Sequence, residues 1–153
     1  MSECIFCDIV RGEVKAHIVY KGRGVVVFLD KYPVSRGHLL VVPEDHYEGV
    51  ESAPPEVLAR VWVAASALAR VYREELGAPG VNLVTNSGAL AGQVIFHFHV
   101  HVIPRWGPYK SFWSTRRELS EEEAREVMRD LRGKAERAIE LYLDRIAGQG
   151  ARV

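Results

Sequence analysis

A chain of 153 residues that is 48% apolar and 26% charged has the make-up of an ordinary globular protein, which excludes fibrous, disordered and membrane-embedded classes. Its length suits one domain burying roughly 68–70% of the unfolded surface, so a core can form without disulfide staples. Twenty basic residues balance twenty acidic ones, so no surface-wide field draws in nucleic acid or anionic lipid, and any recognition of phosphate must be local. The start, MSECIFCDIV, lacks a basic stretch followed by an apolar run and a cleavage site. No segment approaches the ~18 apolar residues of a membrane span, so a cytoplasmic protein is expected. Asn, Gln, Cys and Met number two each, a scarcity of labile side chains that suits a heat-stable protein.

In chain order, Ser2 is placed to cap a short helix from Cys4 to Val10 that Gly12 stops. The β-branched run VVVFLD, residues 25–30, reads as a buried strand, KYPVSRG as a turn, and HLLVVP, residues 38–43, as an antiparallel neighbour ended by Pro43. Ser52, Pro54 and Pro55 start a long helix, along which Val57, Val61, Trp62, Ala65, Leu68, Tyr72 and Leu76 recur at helical spacing until Gly77. VNLVTN, residues 81–86, and IFHFHVHVI, residues 95–103, read as two further strands, the second ended by Pro104. Ser120 and Glu123 form a capping box for a last helix reaching about Ile146, with Val127, Leu131, Ala135, Ile139 and Tyr142 on one face and Gly133 as a bend or break. The pattern predicts an α+β fold, an antiparallel sheet with one long helix and a C-terminal helix packed on it. Residues 1–153 are expected to form a single domain, with 1–106 as core and 107–153 as a C-terminal loop and helix.

His97, His99 and His101 alternate with Phe98, Val100 and Val102, so in a strand all three imidazoles share one face, neighbours roughly 6.5–7 Å apart, while the apolar set faces the core. Three incidental histidines are hard to accommodate by packing alone, because each ring nitrogen needs a partner when buried. One flat row also converges poorly on a single tetrahedral ion. Nucleophilic chemistry remains: a neutral imidazole attacks, and a neighbour holds an anion or assists a leaving group. The loop SGALAGQ, residues 87–93, precedes the row, and its small residues would let backbone N–H groups approach phosphoryl oxygens.

Gly92-Gln93-x-x-x-His97-Phe98-His99-Val100-His101-Val102-Ile103 resembles the signature of the histidine-triad family of nucleotide hydrolases and transferases. The similarity runs from Ile5 to about Arg105 and includes IFCDIVRGE, FLDKYPVSRGHLLVVPEDH and Asn86. It implies that His99 attacks the α-phosphorus of a purine nucleotide conjugate, forming a nucleotidyl-histidine that water hydrolyses. His101 would contact the phosphate or leaving group, the carbonyl of His97 would orient His99, and His38 would stand beside the triad. Ile5, Phe6, Ile9 and Phe28 would line the base slot, Asp30 would accept from ribose hydroxyls, and Asn86 and Gln93 would reach phosphate or sugar. Several relatives carry Ser or Thr directly after the glutamine; Val94 stands there in this chain. Arg105 and Lys110 are further cations that could meet extra phosphates, and His17 matches nothing and is expected at the surface.

Cys4-x-x-Cys7 is half a structural zinc site by spacing, open also to a free or redox-active thiol pair. The resemblance implies His46 and His97 as the other two ligands, a closed Cys2His2 site, with no organic cofactor. It also implies a homodimer; the balanced charge and the lack of a long apolar run make neither nucleic acid nor membrane an expected partner. Within the same chemistry a dinucleoside polyphosphate hydrolase or phosphorylase is the alternative; from another class, a non-catalytic nucleotide-binding or interaction module. A zinc-dependent nucleic-acid binder is disfavoured by the zero net charge.

Overall fold

The computed structural model describes residues 3–109, 111, 113 and 116–150, the last two without side chains. Five strands form one antiparallel sheet: β1 (Ile18–Gly22), β2 (Val25–Leu29), β3 (Leu39–Pro43), β4 (Gly80–Val84) and β5 (Val100–Arg105), in the spatial order β1-β2-β3-β5-β4. Helices α2 (Pro55–Arg70) and α3 (Glu121–Gly150) cover one face, and the short α1 (Ile5–Val10) lies against the other. This is the expected α+β class.

The coverage explains the sequence of β2. Val25, Val27 and Leu29 join the core beneath the long helices, whereas Val26 and Phe28 join a smaller cluster with Phe6, Val10, Leu40 and Val42. A strand buried on both faces needs no polar alternation. Each such side chain contributes roughly 1.5–3 kcal/mol relative to exposure, so both layers hold the central strands in place.

Several boundaries differ from expectation for identifiable reasons. β1 was not anticipated, because HIVYKG is short and runs into Lys21 and Gly22; its pairing with β2 is decided by the sheet. The last strand begins at Val100 rather than residue 95, and Pro104 lies inside it, opposite Val81. The β3 ladder has already ended at Leu39↔Val102, so the missing N–H of Pro104 forfeits no bond on that side. Ser2 lies outside the described residues; the observed cap of α1 is Cys4, whose sulfur accepts from Cys7 N–H at 3.4 Å.

The stripe on α2 is buried as expected at Val57, Val61, Ala65 and Leu68. The helix then widens into a π turn over Val71–Glu75, and from it the Tyr72 hydroxyl donates to the Gly37 carbonyl at 2.5 Å. Ser120 Oγ accepts from Glu123 N–H at 3.1 Å, but the Glu123 carboxylate turns to Arg117, so only half of the capping box forms. Gly133 does not end α3, which runs unbroken from Glu121 to Gly150. Burial of Leu131 and Ala135 on the same face outweighs the ~1 kcal/mol helix penalty of a glycine.

Candidate active site

His97, His99 and His101 lie on the sheet face opposite α2, while Phe98, Val100 and Val102 are sealed under the long helices. His97 and His99 precede the ladder of β5. Phe98 N–H donates to the Tyr47 carbonyl at 2.6 Å, which keeps this stretch extended and brings the loop after β3 alongside. The third histidine is in the ladder, facing Leu40 of β3 and Val84 of β4. His38 enters from the start of β3, directly across from the end of β2 where Asp30 sits.

Backbone partners set the tautomers. A carbonyl can only accept, so His99 Nδ1, 2.7 Å from the His97 oxygen, carries the proton and leaves Nε2 with its lone pair. By the same argument His97 donates from Nε2 to the Pro43 carbonyl at 3.0 Å, and its Nδ1 lone pair faces the cysteines. Val34 N–H can only donate, at 3.1 Å, so His38 Nδ1 accepts. His38 Nε2–H then donates to His101 Nδ1 at 2.9 Å, which puts the remaining proton of His101 on Nε2. Thr85 Oγ1 donates to the His99 carbonyl at 2.7 Å and steadies the backbone at His99.

All four rings are buried and depressed as bases. Burial pushes His38 and His101 down to about 3 and His97 to about 4. His99 is lowered by burial too, opposed by its bond to the His97 carbonyl and by the charge of Asp30. The rings are therefore neutral near pH 7, which suits nucleophilic attack but leaves them without charge to hold an anion.

The residues expected to meet the nucleoside divide. Phe6 and Phe28 meet edge to face at 5.3 Å, and Phe6 stands 5.1 Å from His99. Ile9 packs against them, and Ile5 is 40% exposed at the rim. Phe6, Phe28 and Ile9 make an apolar wall beside His99. Asp30 is buried: Oδ1 accepts from Tyr32 N–H at 2.8 Å, and Oδ2 lies 3.1 Å from Arg116 and 3.4 Å from His38 Nε2. The loop of residues 87–93 is tied to itself. Gln93 accepts from Gly88 N–H and gives its amide hydrogens to the carbonyls of Glu48 and Ile95. The N–H groups of Ala91, Gly92 and Gln93 also bond within the loop, and Gly92 adopts φ 95°, a left-handed conformation that favours glycine. Those amides are thus engaged rather than presented to a phosphate. Asn86 reaches the Gly92 carbonyl at 3.5 Å.

A second cluster flanks the first. Cys4 and Cys7 Sγ each lie 3.5 Å from His97 Nδ1, and Cys7 Sγ lies 3.3 Å from His46 Nδ1. The four donor atoms are all within 4.8 Å of one another. Two sulfurs and two imidazoles at that spacing are a donor set for a tetrahedral zinc ion. Burial and neighbouring Cys4 push the Cys7 thiol up, and a dication at this point would favour the thiolate instead. Asp30, His38 and His101 form another close group, although His38 and His101 there bond to each other.

Three partners carried no signal of a role at this site, although Tyr72 stands in the apolar stripe of the long helix. Trp113 lies over the row, its ring 5.0 Å from His101 and 6.4 Å from His38. Arg116 pairs with Asp30, and Tyr72 fixes the carbonyl before His38. The first two belong to the segment after β5, where no periodicity or motif marks a role. Arg105 donates to Asn82 at 2.7 Å, and Lys110 lies outside the described residues. His17 is partly exposed, 3.4 Å from Glu121.

An α+β fold whose antiparallel sheet presents a row of tautomer-fixed imidazoles is the architecture of the histidine triad proteins. The HIT domain model matches residues 11–107, and the chain belongs to that family. A HIT-like protein of Saccharolobus solfataricus is 43% identical over 103 residues, 67% of this chain and 74% of its own. An adenylylsulfatase of Arabidopsis thaliana is 39% identical over 104 residues, 68% of this chain but 53% of that protein. Among solved structures, a hypothetical histidine triad nucleotide-binding protein of Sulfolobus tokodaii superposes with a TM-score of 0.78 at 36% identity, covering 86% of this chain and 91% of that one. A zinc-bound histidine triad family protein of Mycobacterium smegmatis gives 0.74 at 36% identity, covering 87% and 93%. No helix among the described residues is long and apolar enough to cross a membrane.

Proposed function

We propose that this chain is a nucleotide hydrolase or nucleotidyl transferase that attacks the α-phosphorus of a purine nucleotide conjugate through a covalent intermediate on His99. The observation that carries this is the bond from His99 Nδ1–H to the His97 carbonyl, 2.7 Å long. It directs the lone pair of Nε2 away from the sheet and stabilises the imidazolium that forms once Nε2 is phosphorylated. Nε2 forms a bond to phosphorus while the bond to the leaving group breaks, the electron pair departing with that group. His101 Nε2–H donates to the departing atom, which solvent then protonates. In the second step water attacks phosphorus, the P–N bond returns its electron pair to Nε2, and the water gives up a proton to solvent. An alcohol or phosphate in place of water makes the same step a transfer.

Phe6, Phe28, Ile9 and Ile5 suit the flat face of a base, and Asp30 suits the ribose hydroxyls. His38 acts by fixing the tautomer of His101. Zinc on Cys4, Cys7, His46 and His97 would be structural: the ion, when bound, cross-links α1 to the strand that carries the nucleophile. The resemblance supports a homodimer, which the mass in solution tests.

The direct test of the mechanism is intact mass after rapid quenching with an adenosine phosphoramidate. An AMP-sized increment, stable in base and labile in acid, is expected in the parent and not in His99→Ala. A parent that binds the nucleotide but forms neither adduct nor AMP sinks the phosphoramidase reading, and dinucleoside polyphosphates are then the next substrates to try.

A further inference from the structure

A nucleotide brings at least one negative charge onto its α-phosphoryl oxygens, and the residues expected to meet it supply none of the opposite sign. His38 and His101 are neutral, with burial holding both near 3, and Asp30 beside them adds an anion. The loop amides of Gly88, Ala91, Gly92 and Gln93 are bonded within their own turn. Desolvating a phosphate in such a site without countercharge would be costly.

Among the described residues, Arg116 is the cation that pairs with Asp30 beside the row. After β5, Trp106 Nε1–H donates to the Arg36 carbonyl at 2.7 Å, and further on Leu119 N–H donates to the Lys31 carbonyl at 2.8 Å. Between these two bonds Arg116 sets Nη2 3.1 Å from Asp30 Oδ2 and lays its guanidinium over the Trp113 ring at 5.4 Å. Trp113 in turn lies 5.0 Å from His101, whose ring centre is 4.9 Å from that of His99. The guanidinium is thus separated from the nucleophile by one indole and one imidazole. Arg36 pairs with Glu126 and Arg117 with Glu123, while Arg105 bonds Asn82 of β4 although its charge, like that of Arg116, acts on His38. With 40% of its side chain exposed, Arg116 has room to turn about its stem.

We propose that Arg116 is the phosphate ligand of this site, exchanging Asp30 for the non-bridging phosphoryl oxygens when a nucleotide is bound at His99. A planar guanidinium can take two phosphoryl oxygens at once, and the indole face keeps it oriented during the exchange. The move also releases Asp30 Oδ2 for the ribose hydroxyls, so the two halves of the nucleotide are recognised together. The proposal rests on the nucleotide function given above.

Calorimetric titration of adenosine and of AMP into the parent, Arg116→Met and Arg116→Lys tests it. Methionine keeps the length of the stem and removes the charge. AMP affinity is expected to fall about tenfold or more in Arg116→Met and to recover in part in Arg116→Lys, while adenosine binds as well as before or more tightly. The adenosine arm therefore also reports whether the site is intact. Parallel weakening of both ligands would make Arg116 a structural strap residue and overturn the proposal, as would unchanged affinity for both. A parent that binds neither ligand removes the nucleotide function instead. Inorganic pyrophosphate then tests Arg116 alone: a tenfold loss in Arg116→Met supports it, and no binding to the parent or equal affinity in the variant overturns it.

Discussion

At one end of the histidine row His97 turns Nδ1 toward two sulfurs, each 3.5 Å away; at the other, His101 turns Nδ1 toward His38 Nε2 at 2.9 Å. Both rings are buried and both are neutral, with depressed basicity. The first has a lone pair aimed at soft donors that can share a metal. The second has its lone pair capped, so its N–H points outward. What separates them is the partner that sets the tautomer: the Pro43 carbonyl takes the Nε2 proton of His97, whereas His38, itself held by the Val34 N–H, donates to Nδ1 of His101. An imidazole's work is thus decided by the group behind it.

His99, between the two ends, is where the comparison breaks most sharply. His99→Ala should cost about ten-thousand-fold in turnover and abolish the covalent adduct, with nucleotide affinity changed little. Equal residual turnover in parent and variant would make the two ends parts of a binding surface only.

The His97 end should respond in stability rather than chemistry. Cys4→Ser is expected to lose one zinc ion per chain by elemental analysis. Metal at about a hundred times its dissociation constant contributes roughly 2.7 kcal/mol, so melting should fall by about 5–10 °C. Turnover at a temperature where the variant stays folded should persist. A loss of turnover as large as that of His99→Ala, with folding intact, would move the zinc cluster into the chemistry.

At the His101 end the opposite split is expected. His38→Ala leaves His101 Nδ1 without its donor, so kcat should fall by about 10–100-fold while bound zinc stays at the parental level. Zinc content falling with kcat would erase the distinction between the two ends.

Acid provides the mildest probe. The folded values of His38 and His101 lie near 3, below the ordinary 6.5, so between those limits the unfolded chain binds more protons. Stability from this source is complete above about pH 6.5 and declines as pH falls toward 3, by up to about 1.4 kcal/mol per pH unit for each ring. Unfolding in urea across that range, with a chelator present to remove the contribution of metal, should show the decline in the parent and a shallower one in His38→Ala. Identical slopes would mean that His38 does not stay neutral in the folded chain.

Much of this was legible before any coordinates. Alternation alone separated His97, His99 and His101 from Phe98, Val100 and Val102, because a strand has only two faces. The helix stripes were readable for the same reason of period, and the family resemblance drew attention to His38, Asp30 and the cysteines. The boundaries were less so: β1 has too short and mixed a pattern to stand out, and Pro104 reads as a stop until the neighbouring strand is known to have ended. The small residues of the loop at 87–93 suggested open amides. Gln93 and the turn itself engage them, which composition does not reveal.

By itself the sequence determined which side chains can do chemistry and which face of the strand they share, since periodicity follows from backbone geometry. Only the tertiary structure decided what His97 and His101 do, whereas His99 takes its tautomer from the His97 carbonyl two residues away. The choice for His97 and His101 depends on the Pro43 carbonyl, the Val34 amide and the Cys4 and Cys7 sulfurs, groups tens of residues away from the row. It also brought Arg116 and Trp113 over the row from a segment without a pattern, because a charge placed by chain reversal leaves no period to read.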